Sequence, residues 1–345
     1  MKAVKAIRTP GGLSLRFDPR SVVVSVLLAA VTVAAGVVLI GSGDFPISPR
    51  EVVATLLGNG TQAQEFIVQD LRLPRVLVGL LVGASLALSG AIFQSISRNP
   101  LGSPDVIGFG QGATVGALAV IVLFDGGALA VAGGAVVGGV VTGVGVYVLA
   151  WKRGVHGYRL VLVGIGIAAM LTAVNHYLVT KASLVEATQA TLWMTGSLDG
   201  RDWAQVWPLL GVFAAVVPLI LAHGRPLRML EMGDDAAFAL GVPVERTRLV
   251  LMGSGVLLIA VATAAAGPIA FVALSAPQLA RRLTRSPGPN LAAASVMGAA
   301  LLLIADWAAT TGFGDRQLPV GVVTGVLGGC YLLWLLVTER KAGRI

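Results

Sequence analysis

The sequence predicts an all-α, polytopic membrane protein. Two observations carry that reading. The 345 residues are 56% hydrophobic and only 12% charged, whereas a soluble domain carries about 25% charge. The charges also fall in short clusters between long apolar runs, the pattern of membrane spans joined by loops.

The apolar runs cover residues 22–41, 75–95, 104–124, 128–150, 159–179, 204–222, 249–266, 269–284, 291–311 and 318–337. They predict about ten transmembrane helices in one domain, 22–337, flanked by tails 1–21 and 338–345. The first run follows Lys2, Lys5, Arg8, Arg16 and Arg20 and is too long for the apolar part of a signal peptide. It reads as an uncleaved helix. The eighth is short, preceded by Gly267-Pro268 and interrupted by Pro277. It reads as broken or half-length, and a count of nine is the alternative.

Loop charge sets the orientation. With the N-terminus in the cytoplasm, nineteen of the 25 Lys and Arg residues fall on the cytoplasmic side. Arg50, Arg72, Arg75, Lys181, Arg201 and Arg316 are left outside. Both termini are therefore expected in the cytoplasm. The same bias accounts for the net charge of +8 without invoking nucleic acid.

Several function classes are disfavoured. One cysteine, Cys330, allows no intramolecular disulfide, and His156, His176 and His223 are scattered, so no metal site is expected. H-E-x-x-H, G-x-S-x-G and the P-loop pattern are absent, so the chain offers no catalytic residues and no phosphate cradle. An ion-coupled transporter would require more intramembrane charge and internal repeats. Asp306 reads as the one acid inside a span. Without an intramembrane basic partner it is expected to make a structural hydrogen bond. His176 reads as a packed polar residue. Trp151, Trp193, Trp203, Trp207 and Trp334 lie near span ends, as interfacial aromatics do. Pairs such as Gly79/Gly83, Gly112/Gly116, Gly134/Gly138 and Gly139/Gly143 mark close helix contacts.

One cytoplasmic loop is unusual. Residues 225–248 hold Arg225, Arg228, Arg246 and Arg248, but also Glu231, Asp234, Asp235 and Glu245. Positive-inside bias has no use for acids. Gly233-Asp234-Asp235 reads as the acidic start of a short helix. Gly241-Val242-Pro243 ends it, and a second short helix is expected near Pro243 with Glu245 in its first turn. Two such helices lying flat form a docking surface; an ordinary capped loop is the alternative.

This loop resembles the cytoplasmic loop of permease subunits of bacterial iron–siderophore and vitamin B12 ABC importers. Four further segments resemble that family, in order. They are Leu71-Arg72-Leu73-Pro74-Arg75; Gly90-Ala91-Ile92-Phe93-Gln94 with Arg98-Asn99-Pro100-Leu101; Gly267-Pro268-Ile269-Ala270-Phe271-Val272 with Pro277; and Leu318-Pro319-Val320-Gly321-Val322-Val323-Thr324. The likeness runs from about residue 20 to 340. Gln278 stands where the family commonly has His, and Gln317 where it commonly has Glu.

The resemblance implies a subunit of the bacterial plasma (inner) membrane that works as a homodimer or with a paralogous permease. A ferric siderophore is the expected substrate, with cobalamin and haem as alternatives. A separate ABC ATPase binds the ATP and Mg, so this chain holds no cofactor. Coupling to it is expected from Glu231, Gly233, Asp234, Asp235, Ala236, Leu240, Gly241, Val242 and Pro243. Arg72, Arg75 and Arg316 are expected to receive acidic side chains of an extracytoplasmic substrate-binding protein; anchoring to lipid headgroups is the alternative. Asn99 and Leu101, with Gly157 and Tyr158 across from them, are expected to gate the cytoplasmic mouth, although Asn99 also suits a helix cap. The loop Thr195–Gly200 is a further candidate contact with the binding protein.

Overall fold

The computed structural model describes residues 5–8, 14–152, 154, 156–313 and 317–341. A short hairpin, β1 (Lys5–Arg8) with β2 (Ser14–Phe17), precedes the helices. They run in order as α1 (Pro19–Gly41), α2 (Pro49–Leu56), α3 (Gln62–Glu65), a π-helical segment (Phe66–Arg72), α4 (Leu73–Ser97), α5 (Pro104–Ile107), α6 (Phe109–Phe124) and α7 (Ala128–Ala150). Then come α8 (Gly157–Lys181), α9 (Leu184–Met194), α10 (Trp203–Ala222), α11 (Gly224–Leu230), α12 (Asp234–Ala239), α13 (Val244–Ala266), α14 (Val272–Thr284), α15 (Leu291–Thr311) and α16 (Val320–Lys341).

Seven helices among the described residues are long and apolar enough to cross a membrane. The apolar helix Phe109–Phe124 has 16 residues and α14 has 13, whereas α16 has 22. Each of the ten apolar runs thus carries a helix, but two of those helices, α6 and α14, fall below full spanning length.

The helix running into α4 forms the hub, its most apolar window 89% buried against 17% for α8. It packs on α13, α14 and α15. Peripheral α1, α7, α8 and α10 remain apolar on their outward faces, as helices facing hydrocarbon do. The paired glycines act where they meet. Gly112 and Gly116 of α6 face Gly138 and Gly134 of α7, and a Cβ at any of the four would strike the opposite backbone.

One break departs from the sequence reading, and a second gives the broken eighth element that was expected. The run 104–124 is divided at Gly108, where φ is +93°, so α5 is a single turn and α6 begins at Phe109. The eighth run begins its helix only at Val272, because Gly267 (φ +73°) and Phe271 (φ +68°) bracket an unwound segment. Unwound backbone within an apolar bundle needs partners from elsewhere. The loop after α9 folds inward to meet this need: the Ser197 amide donates to Ala266 at 2.8 Å, and Gly196 accepts from the Gly321 amide at 3.1 Å. Leu198 is fully buried and packs at Gly79. Of the expected contact loop Thr195–Gly200, the stretch Thr195–Leu198 is therefore largely interior, while Asp199 and Gly200 are exposed.

Buried amides pin α14. Gln94 donates to the Leu274 carbonyl at 2.9 Å, and Gln278 donates to that of Pro100 at 2.7 Å. The glutamine at the family's histidine position thus ties α14 to the turn after α4. Several elements were not anticipated: the β1–β2 hairpin, which departs from the all-α expectation, α2, the helix 62–72, α9 and α11. α2 and α9 start at full capping boxes, Ser48/Glu51 and Ser183/Glu186. α16 continues through Lys341, past the expected end of the last span.

Candidate functional site

The acidic loop becomes two short helices, but not the two expected. α11 (Gly224–Leu230) precedes the acids and α12 (Asp234–Ala239) contains them. The second helix expected near Pro243 is instead the first turn of α13. Pro243 caps a helix that continues unbroken to Ala266, because no breaker intervenes after Val244. Gly233 adopts φ +114° and Gly241 φ +81°, and both turns depend on glycine.

Most of the acids are bonded within the chain. Arg248 is 2% exposed and donates to Asp234 at 2.8 Å and to Glu245 at 2.7 Å. The bond to Asp234 staples α12 to the base of α13, and the bond to Glu245 lies within the first turn of α13. Glu231 accepts from Arg281 of α14 at 2.6 Å and from Ser95 of α4 at 2.7 Å. Leu230, Ala237 and Val242 form a small core beneath. Asp235, Met232, Phe238 and Leu240 remain exposed, Phe238 at 76%. Ala236 is partly buried and Pro243 exposed. α12 is thus an apolar knob on an ion-paired mount.

At the inner turn, Arg98 ends α4 in the left-handed region (φ 52°). Asn99 accepts from the Leu101 amide at 2.9 Å, closing a local turn, and Leu101 is exposed. The start of α8 lies against this turn. A Cβ on Gly157 would strike the Ser97 backbone, and Tyr158 projects outward, 81% exposed. Asn99, Gly157, Tyr158, Leu162 and Ile165 line one cavity of about 230 Å3. The fold brings Asn99 and the Gly157–Tyr158 pair together; Leu101 is exposed and does not line this cavity.

The opposite face carries a larger cavity, about 590 Å3, between the end of α1, the π-helical segment, the 199–201 loop and the end of α15. Arg72, Arg75 and Arg201 line it with Asp44 and Asp199. Arg72 donates to the carbonyls of Ile40 at 2.7 Å and Phe45 at 2.9 Å. Arg75 grips Asp306 with two bonds of 2.9 Å each and reaches Asp199 at 3.4 Å. Arg316 lies outside the described residues.

Asp306 therefore has the basic partner that the sequence reading denied it. Arg75 was placed in an outer loop, but one end of α4 meets the interior of α15. The second correction concerns Asp105. It too falls inside a predicted span, 104–124, and was overlooked because it follows Pro104 at the run's edge. Asp105 lines a cavity of about 240 Å3 beside Thr114, Thr263 and Ala270, accepts from the Phe271 amide, and leaves Oδ2 without a partner. It steadies the start of α14 across the unwound segment. No sequence signal marks Arg281 or Arg201 as site residues, because their partners lie far away along the chain or are backbone atoms; the i,i+3 spacing of Glu245 and Arg248 could have marked that pair.

The relatives of the chain agree with this architecture. Residues 23–338 match the FecCD transport family. The ferric enterobactin transport system permease protein FepG of Escherichia coli (strain K12) is 47% identical over 322 residues, covering 93% of this chain and 98% of that protein. The iron(3+)-hydroxamate import system permease protein FhuG of Bacillus subtilis (strain 168) is 35% identical, over 86% and 90% of the two chains. The vitamin B12 import system permease protein BtuC of Escherichia coli O9:H4 (strain HS) is 33% identical, over 81% and 86%. A solved inward-facing structure, described as of the metal-chelate type of ABC transporter, superposes with a TM-score of 0.81 at 26% identity and covers 92% of this chain and 99% of its own. With a family match along nearly its whole length and a helical bundle of the same form, the chain belongs to the FecCD transport family.

Proposed function

We propose that the chain is the membrane-spanning permease subunit of an ATP-driven importer for a ferric siderophore. The near-full-length likeness to a ferric enterobactin permease supports the substrate class. The geometry that supports ATP coupling is α12, a short helix with Phe238, Met232 and Leu240 exposed and its acids bonded beneath it.

In this reading the chain crosses the inner membrane ten times, with both termini in the cytoplasm. Short α14, the broken α5–α6 pair and α16 complete the count. A separate ATPase receives α12 in a groove, and the apolar knob supplies the contact. Motion of α12 reaches the bundle by two routes: through Arg248 into α13, and through Glu231 to Arg281 and Ser95, on α14 and α4. The cavity at Asn99, Gly157 and Tyr158 lies at the cytoplasmic mouth and widens or closes as these helices shift. The outer arginine cavity receives a loaded binding protein, with Arg316 nearby in sequence. The chain pairs with a second permease, identical or paralogous, across its exposed apolar helices.

The test is uptake of radiolabelled ferric siderophores by cells lacking this chain, complemented with the wild type or with Phe238→Asp. Uptake restored by the wild type alone, with an ATPase subunit co-purifying only with the wild type, supports the reading. Equal uptake and equal co-purification with the variant would overturn the coupling role. Failure of any ferric siderophore to enter would overturn the substrate.

A further inference from the structure

Asp105 of α5 is a carboxylate without an ionic partner. It accepts from the Phe271 amide, leaves Oδ2 buried without a hydrogen bond, and forms no ion pair among the described residues. Its cavity, about 240 Å3, lies where α5, α6, α13, the loop after α9 and the unwound segment before α14 meet. No Lys, Arg or His lines it. A lone carboxylate in apolar surroundings is costly, and either a proton or a cation neutralises it.

The oxygens around Asp105 decide between the two. Pro268 and Ile269 line the cavity, and their carbonyls accept no hydrogen bond among the described residues, because the chain there is not helical. Thr114 and Thr195, also on the wall, donate their hydroxyl protons to the carbonyls of Gly110 at 2.9 Å and Leu192 at 2.6 Å. Their oxygens are left with lone pairs only. The Thr263 hydroxyl adds another oxygen. A protonated Asp105 brings one donor to these acceptors, whereas a cation satisfies several at once. Hard cations take oxygen ligands of this kind, and unwound backbone within membrane helices supplies them to sodium. Charge sets the valence, since one carboxylate balances one positive charge. Among the described residues no group of three or more His, Cys, Asp or Glu side chains could hold a metal, so a divalent or ferric ion lacks ligands here. At about 30 Å3 per water, the space also admits waters that complete the shell of an ion.

We propose that this cavity binds one sodium ion, held by Asp105 Oδ2 with carbonyl and hydroxyl oxygens of the unwound segment and the threonines around it. The ion braces a junction. Asp105 already holds the amide of Phe271, whose φ of +68° is a strained value for phenylalanine. The loop that carries Thr195 bonds α16 through the Gly196 carbonyl and the Gly321 amide. Bound sodium therefore ties α5 and α13 to the starts of α14 and α16. The proposal is independent of which substrate the chain carries.

The experiment uses the assembled transporter in lipid nanodiscs, in sodium chloride or choline chloride at constant ionic strength. Binding of radioactive sodium, the thermal midpoint and hydrogen exchange in residues 266–275 are measured for the wild type, Asp105→Asn and Thr263→Val. Sodium should raise the wild-type midpoint saturably, by on the order of 2 °C, and slow exchange in that segment at least about threefold. Asp105→Asn keeps an acceptor for the Phe271 amide but loses the charge. It should lose both responses and bind one sodium ion fewer per chain. Thr263→Val removes one oxygen and should weaken sodium binding about tenfold. If the wild type binds no sodium, or if Asp105→Asn binds and responds as the wild type does, a proton neutralises the carboxylate and the proposal is overturned. If Asp105→Asn proves unfolded, Thr263→Val decides: sodium affinity equal to that of the wild type overturns the proposal.

Discussion

Arg75 and Asp306 meet in a two-pronged ion pair, Nε to Oδ2 and Nη2 to Oδ1, each at 2.9 Å. Asp306 is 1% exposed and the arginine side chain 19%. The pair joins the first turn of α4 to the body of α15, two helices also in contact at Gly83 and Gly298. Truncating one partner strands the other charge. Asp306→Ala is expected to destabilise the protein by about 3–5 kcal/mol. Replacing both Arg75 and Asp306 with alanine should cost less than the sum of the single changes. A double-mutant cycle on denaturant unfolding in detergent checks this, and additive costs would deny the coupling.

The acids beside α12 and the apolar residues on it should separate in experiment. Phe238→Ala removes an exposed side chain and leaves the unfolding midpoint unchanged, yet should weaken capture of the ATPase subunit at least about tenfold. Asp234→Arg places a cation against buried Arg248 and breaks the staple to α13. It should destabilise the loop by about 3 kcal/mol, read as faster proteolysis at 225–248. Were Asp234→Arg to release the ATPase with the loop still protected, the acid would be a direct contact and the staple incidental.

The α6–α7 crossing has no space to give. Gly116→Val drives two methyl groups toward the Gly134 carbonyl. Overpacking typically costs 1–3 kcal/mol, and more where the obstacle is backbone. Membrane insertion with a lowered midpoint is the expected result. Gly133→Val, on the facing helix α7 with open space around it, serves as the control and should match the wild type.

The capping box of α2 predicts a local pH response. Glu51 accepts from the Ser48 hydroxyl and amide, and these bonds hold its carboxyl below the ordinary value. A depressed folded-state pKa means that the stabilisation is complete above the unfolded value, about 4.3, and is lost as pH falls through the lower folded value. Amide protection factors in residues 49–56, which correct for intrinsic exchange, should fall in acid and stay constant above about pH 5. Glu51→Gln should flatten that response.

Much of the bundle was legible because lipid imposes a length and a composition on each span. Ten apolar runs were readable, and each carries a helix. The break at Gly267-Pro268 was also readable, since both residues are poor helix formers. The left-handed turn at Phe271 was not, because a phenylalanine there is held by its surroundings rather than by its own preference. The helix that follows Pro243 was taken for a short one because the acidic loop was treated as a separate unit. Its apolar continuation into α13 carries the same helical period throughout. For the candidate sites, residue types in their local pattern pointed to the loop, the inner turn and the outer arginines. Which charge meets which was hidden.

The sequence by itself determined the class, the approximate ends of the helices and the family. These depend on composition, local breakers and ordered motifs, all of which lie along one chain. The tertiary structure decided the partners. Arg75 finds Asp306 across 231 residues, and Arg281 finds Glu231 across 50. In an apolar medium a charge is stabilised by whatever opposite charge the packing brings within about 3 Å, and packing is a property of the whole bundle.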